Sequence, residues 1–272
     1  MYECSLIIAF YNKIDYLKLV LAGLERQTFT NFEIIIADDG SKEEIVSELK
    51  KIIETSSLTI RHIWHEDKGW RKNEILNKAV LIAHAPYLVF IDGDCIPHRD
   101  FIKEHIELSE ENVCLTGRRV NLGQKITIGL TPQKVKNGWL EKNYITMLFH
   151  SFFRESNIEK GVYIRNRNLR VFLNKEKRGI LGSNFSLPKD ILLKINGFDE
   201  RYKTTGYGED SDVQFRLELI GVVIKSLNYI ALQYHLYHKE LPRPQSGYDL
   251  LNQVKTEKEA FTRFGIQKLE YS

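Results

Sequence analysis

Five short stretches of the sequence gather residues that can do chemistry. Asp92-Gly93-Asp94 sets two carboxylates one small residue apart, so both can converge on a hard divalent cation while Gly93 lets the backbone turn sharply. A plain Asp-Gly turn is the alternative. However, both acids follow the apolar run 87–91, and neighbouring carboxylates repel unless a cation or a substrate group pairs them. Asp38-Asp39-Gly40-Ser41 places adjacent acids where they could accept hydrogen bonds from a nucleobase or ribose, and Tyr11 could stack on that base. Gly206-Tyr207-Gly208-Glu209-Asp210-Ser211-Asp212 holds more acid than one helix N-terminus needs, and the helix dipole is expected to keep Asp210 ionised and able to accept a proton. Tyr234-His235-Leu236-Tyr237-His238 offers two imidazoles, either to a metal or simply to solvent. Trp70-Arg71-Lys72 supplies cations for phosphates, or an ordinary solvated loop.

These groups need a frame. Apolar runs at 6–10, 32–37, 58–64 and 87–91 are strand-sized, and helical spacing appears between them: Leu17, Val20, Leu21 and Leu24, then Ile45, Leu49, Ile52 and Ile53, then a segment over 73–84. Ser41 and Glu44 read as a capping box at the start of the second helix. Such alternation predicts an α/β fold with a Rossmann-like, mostly parallel central sheet flanked by helices. Right-handed crossovers would put the loops 10–12, 38–41, 65–72 and 92–95 along one edge, where ligands bind. Farther on, a helix over 188–195 stops at Asn196-Gly197, a helix spans 209–220, and short strands are expected at 222–225 and 229–233. Neither Gly-x-Gly-x-x-Gly nor a P-loop occurs, so phosphates would have to be held by metal and cationic side chains.

Composition narrows the function classes. Over 272 residues, 43% hydrophobic and 28% charged, the chain is expected to fold as a single domain without internal repeats. Thirty-nine Lys and Arg against 36 Asp and Glu leave only +3, which argues against nucleic acid as a partner. Three scattered cysteines, Cys4, Cys95 and Cys114, suit free thiols in a reducing cytoplasm. Apolar runs fall short of the roughly 20 residues that span a bilayer, and the N-terminus lacks a secretory pattern. One segment departs from this balance. Residues 160–178 carry seven basic side chains and one acid, after an aromatic run that includes Trp139, Tyr144, Phe149, Phe152 and Phe153. This segment is either a patch for an anionic membrane surface or glycan, through residues such as Arg165, Arg167 and Arg170, or a core helix followed by a solvated loop.

Taken together, these motifs resemble the inverting, metal-dependent nucleotide-sugar glycosyltransferases of family 2, which share the GT-A fold. Ser5-Leu6-Ile7-Ile8-Ala9-Phe10-Tyr11-Asn12 is similar to that family's opening strand, with Ala9 where proline is frequent. Gly182-Ser183-Asn184-Phe185-Ser186, Asn196-Gly197-Phe198-Asp199-Glu200 and Gly206-Tyr207-Gly208-Glu209-Asp210 resemble the C-terminal half of beta-1,4-galactosyltransferases, polypeptide N-acetylgalactosaminyltransferases and chondroitin-polymerase-type enzymes. The resemblance divides the chain into a nucleotide-sugar half (1–120), a variable acceptor-side insertion (121–180) and an acceptor and catalytic half (181–272). It implies nucleotide contacts at Ala9, Tyr11, Asp38, Asp39, Trp70, Arg71, Lys72, Asp92 and Gly93. Asp92 and Asp94 would hold Mn²⁺ or Mg²⁺ together with His235 or His238, with His235 favoured for its distance from Pro242. Asp210 would be the base and Glu209 an acceptor contact. The implied partners are a UDP-sugar donor and a glycan or lipid-linked saccharide acceptor in surface polysaccharide synthesis, met in the cytoplasm or peripherally at the inner face of the membrane. Two rivals are weaker: a sugar-nucleotide-binding scaffold without turnover, and a nucleotidyltransferase, which would carry a Gly-rich basic loop where this chain has Phe10-Tyr11-Asn12-Lys13.

Overall fold

Each apolar run forms a strand whose side chains alternate between two cores. In β1 (Cys4–Phe10), Leu6, Ile8 and Phe10 enter one core and Ile7 the other. Burial on both faces is why the strand reads as continuous apolar sequence. The remaining strands are β2 (Phe32–Asp38), β3 (Ile60–Trp64), β4 (Tyr87–Asp92), β5 (Cys95–Pro97), β6 (Val113–Thr116), β7 (Arg118–Asn121), β8 (Asn184–Pro188), β9 (Val223–Ser226) and β10 (Leu232–His235). In this computed structural model, which describes residues 1–151, 156–176, 178–206, 208–239, 242 and 244–268, they form two sheets. The larger runs β3-β2-β1-β4-β8-β6-β9 and the smaller β5-β10-β7. Within the larger sheet β8 alone runs against its neighbours, pairing antiparallel with β4 and β6. Phe90 and Phe185 stack across that antiparallel pairing with ring centroids 4.5 Å apart.

Helices cover both faces, as the alternation predicts. Ile14–Leu24 and Glu43–Thr55 pack on the first core, while Lys72–Ile82, Lys189–Lys194 and Glu209–Leu219 pack on the second. The second helix starts differently from the sequence expectation. Lys42 is its N-cap and no side chain caps it. Ser41 instead accepts a hydrogen bond from the Asn12 backbone (2.7 Å), while its own N–H donates to Asp38 Oδ1 (2.8 Å). The hydroxyl is engaged by the neighbouring loop, so it ties two edge loops together and leaves the helix uncapped.

The segment 121–180 forms short helices along the first core, into which Leu140, Met147 and Ile158 are buried. Its aromatic run divides: Trp139 and Tyr144 pack inward, Phe149 is exposed, and Phe152 and Phe153 lie outside the described residues, as do Lys177, Tyr207 and the side chain of Arg167. Arg170 is not a solvated cation of a basic patch. Its guanidinium makes a bidentate pair with the buried Glu104 carboxylate (2.7 and 2.6 Å), which Tyr163 also hydrogen-bonds, so the segment is clamped to the helix Phe101–Glu107.

Asn196 and Gly197 take positive φ (63° and 73°), as expected of a helix stop. The carbonyls of Ile195 and Gly197 accept hydrogen bonds from Arg216 (2.8 and 2.9 Å), which is itself paired with Asp212 (2.5 Å) inside the protein. This buried pair anchors the helix that starts at Glu209. Removing one partner would strand the other charge away from water. Arg216→Met should therefore cost about 3–5 kcal/mol in urea unfolding, and the double variant Asp212→Leu/Arg216→Met should lose clearly less than the single one.

Candidate active site

A cleft of about 920 Å³ opens at the carboxyl edge of the parallel strands. It brings together most of the residues singled out from the sequence: Ala9, Tyr11, Asp39, Trp70, Lys72, Asp92, Gly93, Asp94, Glu209, Asp210, His235 and His238 all line it. Two do not reach it. Asp38 is fully buried below the rim, where Oδ1 takes the Ser41 N–H and Oδ2 faces His62 Nε2 at 3.0 Å. Alternation along β2 turns Asp38 inward and leaves Asp39, in the following loop, at the cleft. Arg71 sends its guanidinium to Glu74 (3.2 Å) and to the Glu66 carbonyl, so it braces the loop instead of meeting phosphates. Its backbone N–H still contributes, donating to Asp39 Oδ2 at 3.0 Å, while His65 Nε2 lies 2.7 Å from Oδ1. Burial pushes the Asp39 carboxyl above its usual range, against the pull of these two partners.

At one end of the cleft, ligand atoms of Asp94, His235 and His238 lie within 4.8 Å of one another. Nε2 of His235 is 3.7 Å from Asp94 Oδ1, Nε2 of His238 is 3.3 Å from Oδ2, and the two nitrogens are 3.2 Å apart. Both histidines therefore converge where the sequence left a choice between them. His235 ends β10 directly opposite Cys95 of β5, beside Asp94, and the Leu236 N–H donates to the Asp94 carbonyl (2.9 Å) as the chain turns back toward His238. Burial lowers His235 to about 4, which leaves its imidazole neutral. Burial opposes ionisation of Asp94 as well, but the His238 hydrogen bond and the nearby His235 and Lys13 outweigh it and hold the carboxyl at about 2. Asp92 is turned differently. It lies 3.3 Å from Lys72 Nζ, though it also forms a second close set with Asp94 and Cys95.

Glu209 and Asp210 occupy the other end. Gly208 enters the helix at φ 108°, a conformation that other residues resist, and this turn delivers both acids to the cleft. Asp210 Oδ2 accepts the Gly182 N–H at 2.8 Å, and a methyl group at position 182 would collide with that carboxylate. The helix dipole does not keep Asp210 in the ordinary acid range. Burial, with Glu209 alongside, raises it to about 7 against the pull of Lys72 and Gly182. Between the two ends stands Lys72, 3.3 Å from Asp92 and 3.1 Å from Glu209. Burial disfavours its charge, but the surrounding carboxylates reverse that and keep it an ammonium. Glu209 Oε2 and Trp70 Nε1 are buried without a hydrogen-bond partner.

Lys13, Arg119, Asn121, Ser183 and Lys239 also line the cleft and were missed by the sequence reading. The alternation of β7 was the available signal for Arg119 and Asn121, because Val120 between them is buried in the first core. No motif marked that strand as lying at the site.

The raised carboxyl of Asp210 has a consequence for stability. The folded chain holds that proton more tightly than the unfolded chain does, so the stabilisation is complete below about pH 4 and is lost as pH rises through about 7. Asp210→Asn never ionises. It should melt at a higher temperature than the wild type at pH 8, with the gap closing toward pH 4; equal melting at pH 8 would contradict a buried carboxyl.

Comparison with known proteins identifies the family and the fold. The profile for Glycosyl transferase family 2 matches residues 5–179, and that for the N-terminal domain of galactosyltransferase matches residues 169–239. Chondroitin synthase of Escherichia coli is 28% identical over 263 residues, covering 90% of this chain and 36% of that protein. Hyaluronan synthase of Pasteurella multocida is 24% identical over 260 residues, covering 90% and 25%. The chain thus spans only a minor part of the length of these relatives. Among solved structures, S. aureus TarS 1-349 in complex with UDP-GlcNAc superposes at a TM-score of 0.59 with 18% identity, covering 94% of this chain and 66% of that one. GalNAc-T7 with UDP, GalNAc and Mn²⁺ gives 0.65 with 14% identity, covering 94% and 49%. These likenesses establish a common fold, that of the GT-A glycosyltransferases. With its family profile matched from the first strand through residue 179, the chain belongs to glycosyl transferase family 2.

Proposed function

We propose that this glycosyltransferase moves a sugar from a UDP-sugar to a hydroxyl of a glycan or lipid-linked saccharide, with inversion at the anomeric carbon, in polysaccharide synthesis. One observation carries the reading: one carboxylate and two imidazoles converge in a cleft that also holds the Asp210 carboxyl, fixed there by the Gly182 N–H. The relatives are named as polysaccharide synthases, and the fold neighbours hold UDP, UDP-GlcNAc or Mn²⁺.

The donor set fits a divalent cation. Asp94 is ionised, His235 is neutral, and nitrogen beside carboxylate oxygen suits Mn²⁺ as well as Mg²⁺. Asp94, His235 and His238, with Asp92 adjacent, would hold the cation, which would supply positive charge against a diphosphate. Asp39 offers carboxylate oxygens to the uridine at the rim, where Ala9, Tyr11 and Trp70 supply surface. Lys72 holds Asp92 and Glu209 together between the two ends and adds a positive charge near the leaving phosphate.

Asp210 then takes the proton of the acceptor hydroxyl as that oxygen forms its bond to the anomeric carbon. The bond from that carbon to the phosphate oxygen breaks on the opposite face, and its electron pair leaves with UDP. Gly182 fixes the orientation of the base, and a pKa near 7 suits proton acceptance at neutral pH. Glu209, with Oε2 free of partners, receives the acceptor hydroxyls. No helix among the described residues is long and apolar enough to cross a membrane. Exposed Ile145, Phe149, Val171 and Phe172, with Lys175 nearby, support peripheral contact with an anionic membrane carrying a lipid-linked acceptor.

Asp210→Asn should lower transfer by about 100-fold or more while the affinity for UDP in Mn²⁺ is maintained. Equal loss of both would assign Asp210 a structural part. Exhaustive chelation should abolish both transfer and tight UDP binding, and added Mn²⁺ should restore them; transfer that survives chelation contradicts the metal reading.

A further inference from the structure

The carboxylate assigned above to uridine is held from both sides by groups that take no part in the transfer chemistry. Asp38 and Trp64, the last residues of β2 and β3, are register partners, so Asp39 and His65 leave adjacent parallel strands side by side. Two acid–imidazole pairs form there. Asp38 with His62 lies below the rim, and Asp39 with His65 stands at the cleft. His65 is itself buried, with Nε2 2.7 Å from Asp39 Oδ1. The Arg71 N–H takes the other oxygen at 3.0 Å. With a partner on each oxygen, the carboxylate cannot turn without losing one, and both oxygens keep a lone pair for a ligand.

The far side of the imidazole fixes which nitrogen carries the proton. Nδ1 lies 3.3 Å from Lys78 Nζ, and that ammonium is held at 2.8 Å by Glu74 Oε1, one turn back on the helix Lys72–Ile82. An ammonium has only donors, so Nδ1 accepts and Nε2–H donates to Asp39. Burial works against the charge of Asp39, and His65 is the strongest of the groups that oppose it. A chain of four side chains thus runs from Glu74 through Lys78 and His65 to Asp39, and only the last lines the cleft.

We propose that His65 is a positioning residue for nucleobase choice: it fixes the Asp39 carboxylate against the N3–H that uracil presents and cytosine lacks. The proposal rests on the uridine reading of Asp39 above and adds the residue that makes this carboxylate selective. Cytosine brings an N3 lone pair to the same place, which a fixed carboxylate repels. A carboxylate free to turn would avoid that lone pair and accept from the 4-amino group instead, so discrimination depends on its being held.

Calorimetric titration of the full chain with UDP and CDP in Mn²⁺ tests this, because both carry the diphosphate and CDP affinity reports an intact site. The wild type should bind UDP about tenfold or more tighter than CDP. His65→Leu should shrink that ratio to about threefold or less, mainly by weakening UDP. His65→Gln, whose side-chain N–H can take the place of Nε2–H, should restore most of it. An unchanged ratio in His65→Leu, whether or not both affinities fall, or a Gln variant no better than Leu, would overturn the positioning assignment and leave uridine recognition by Asp39 standing. Equal wild-type affinities for UDP and CDP would instead overturn that uridine reading, and the inference with it.

Discussion

Five carboxylates, those of Asp39, Asp92, Asp94, Glu209 and Asp210, share one partly dry cleft, and their mutual repulsion must be met by something. Lys72 meets it at the centre, within 3.3 Å of Asp92 and 3.1 Å of Glu209, acids that lie 117 residues apart in the chain numbering. The histidines meet it at one end, and a backbone N–H meets it at the other. The remainder of the fold can be seen as the means of delivering these counter-charges. Helix Lys72–Ile82 brings the ammonium, β10 brings His235, and the loop before β8 brings Gly182.

The uneven distribution of counter-charge gives the two ends opposite proton chemistry. Asp94, beside imidazoles and Lys13, stays ionised far below neutrality. Asp210, beside Glu209 and shielded from water, keeps its proton until about pH 7. Two aspartates of the same cleft thereby release their protons in widely separated pH ranges, by surroundings alone. Buried anchoring keeps that difference in place. Arg216 ties the helix bearing Asp210 to the turn at 195–197, and Asn77 ties the helix bearing Lys72 to Phe198, accepting its N–H at 2.8 Å. The helices bearing Lys72 and Asp210 are thus fastened to one turn.

How legible each part was depends on the range of the interaction that decides it. The strands of the parallel sheet were readable because a strand buried on both faces is uniformly apolar, and the helices between them because one stripe faces a core. Acid pairs at strand ends were readable as chemistry because a turn needs fewer charges. Ser41 shows where local reading stops. Ser-x-x-Glu is a capping signature, but the hydroxyl was claimed by the Asn12 backbone, 29 residues away in sequence. Arg71 and Lys72 show it again. They are adjacent and alike in charge, but helix geometry sends one to the loop carbonyl of Glu66 and the other into the cleft.

From the sequence alone, the order of elements through β4, the edge that carries their loops and the family resemblance were determined, since these depend on hydrophobic period and short motifs. Tertiary structure decided which acids face the cleft, that His235 and His238 both approach Asp94, and that burial raises Asp210. It also decided that Arg119 and Asn121 of β7 line the cleft. The physical reason is common to all four. Side-chain partners and desolvation depend on groups distant in sequence, and the register that pairs β10 with β5 and β7 is not written in any one of those strands.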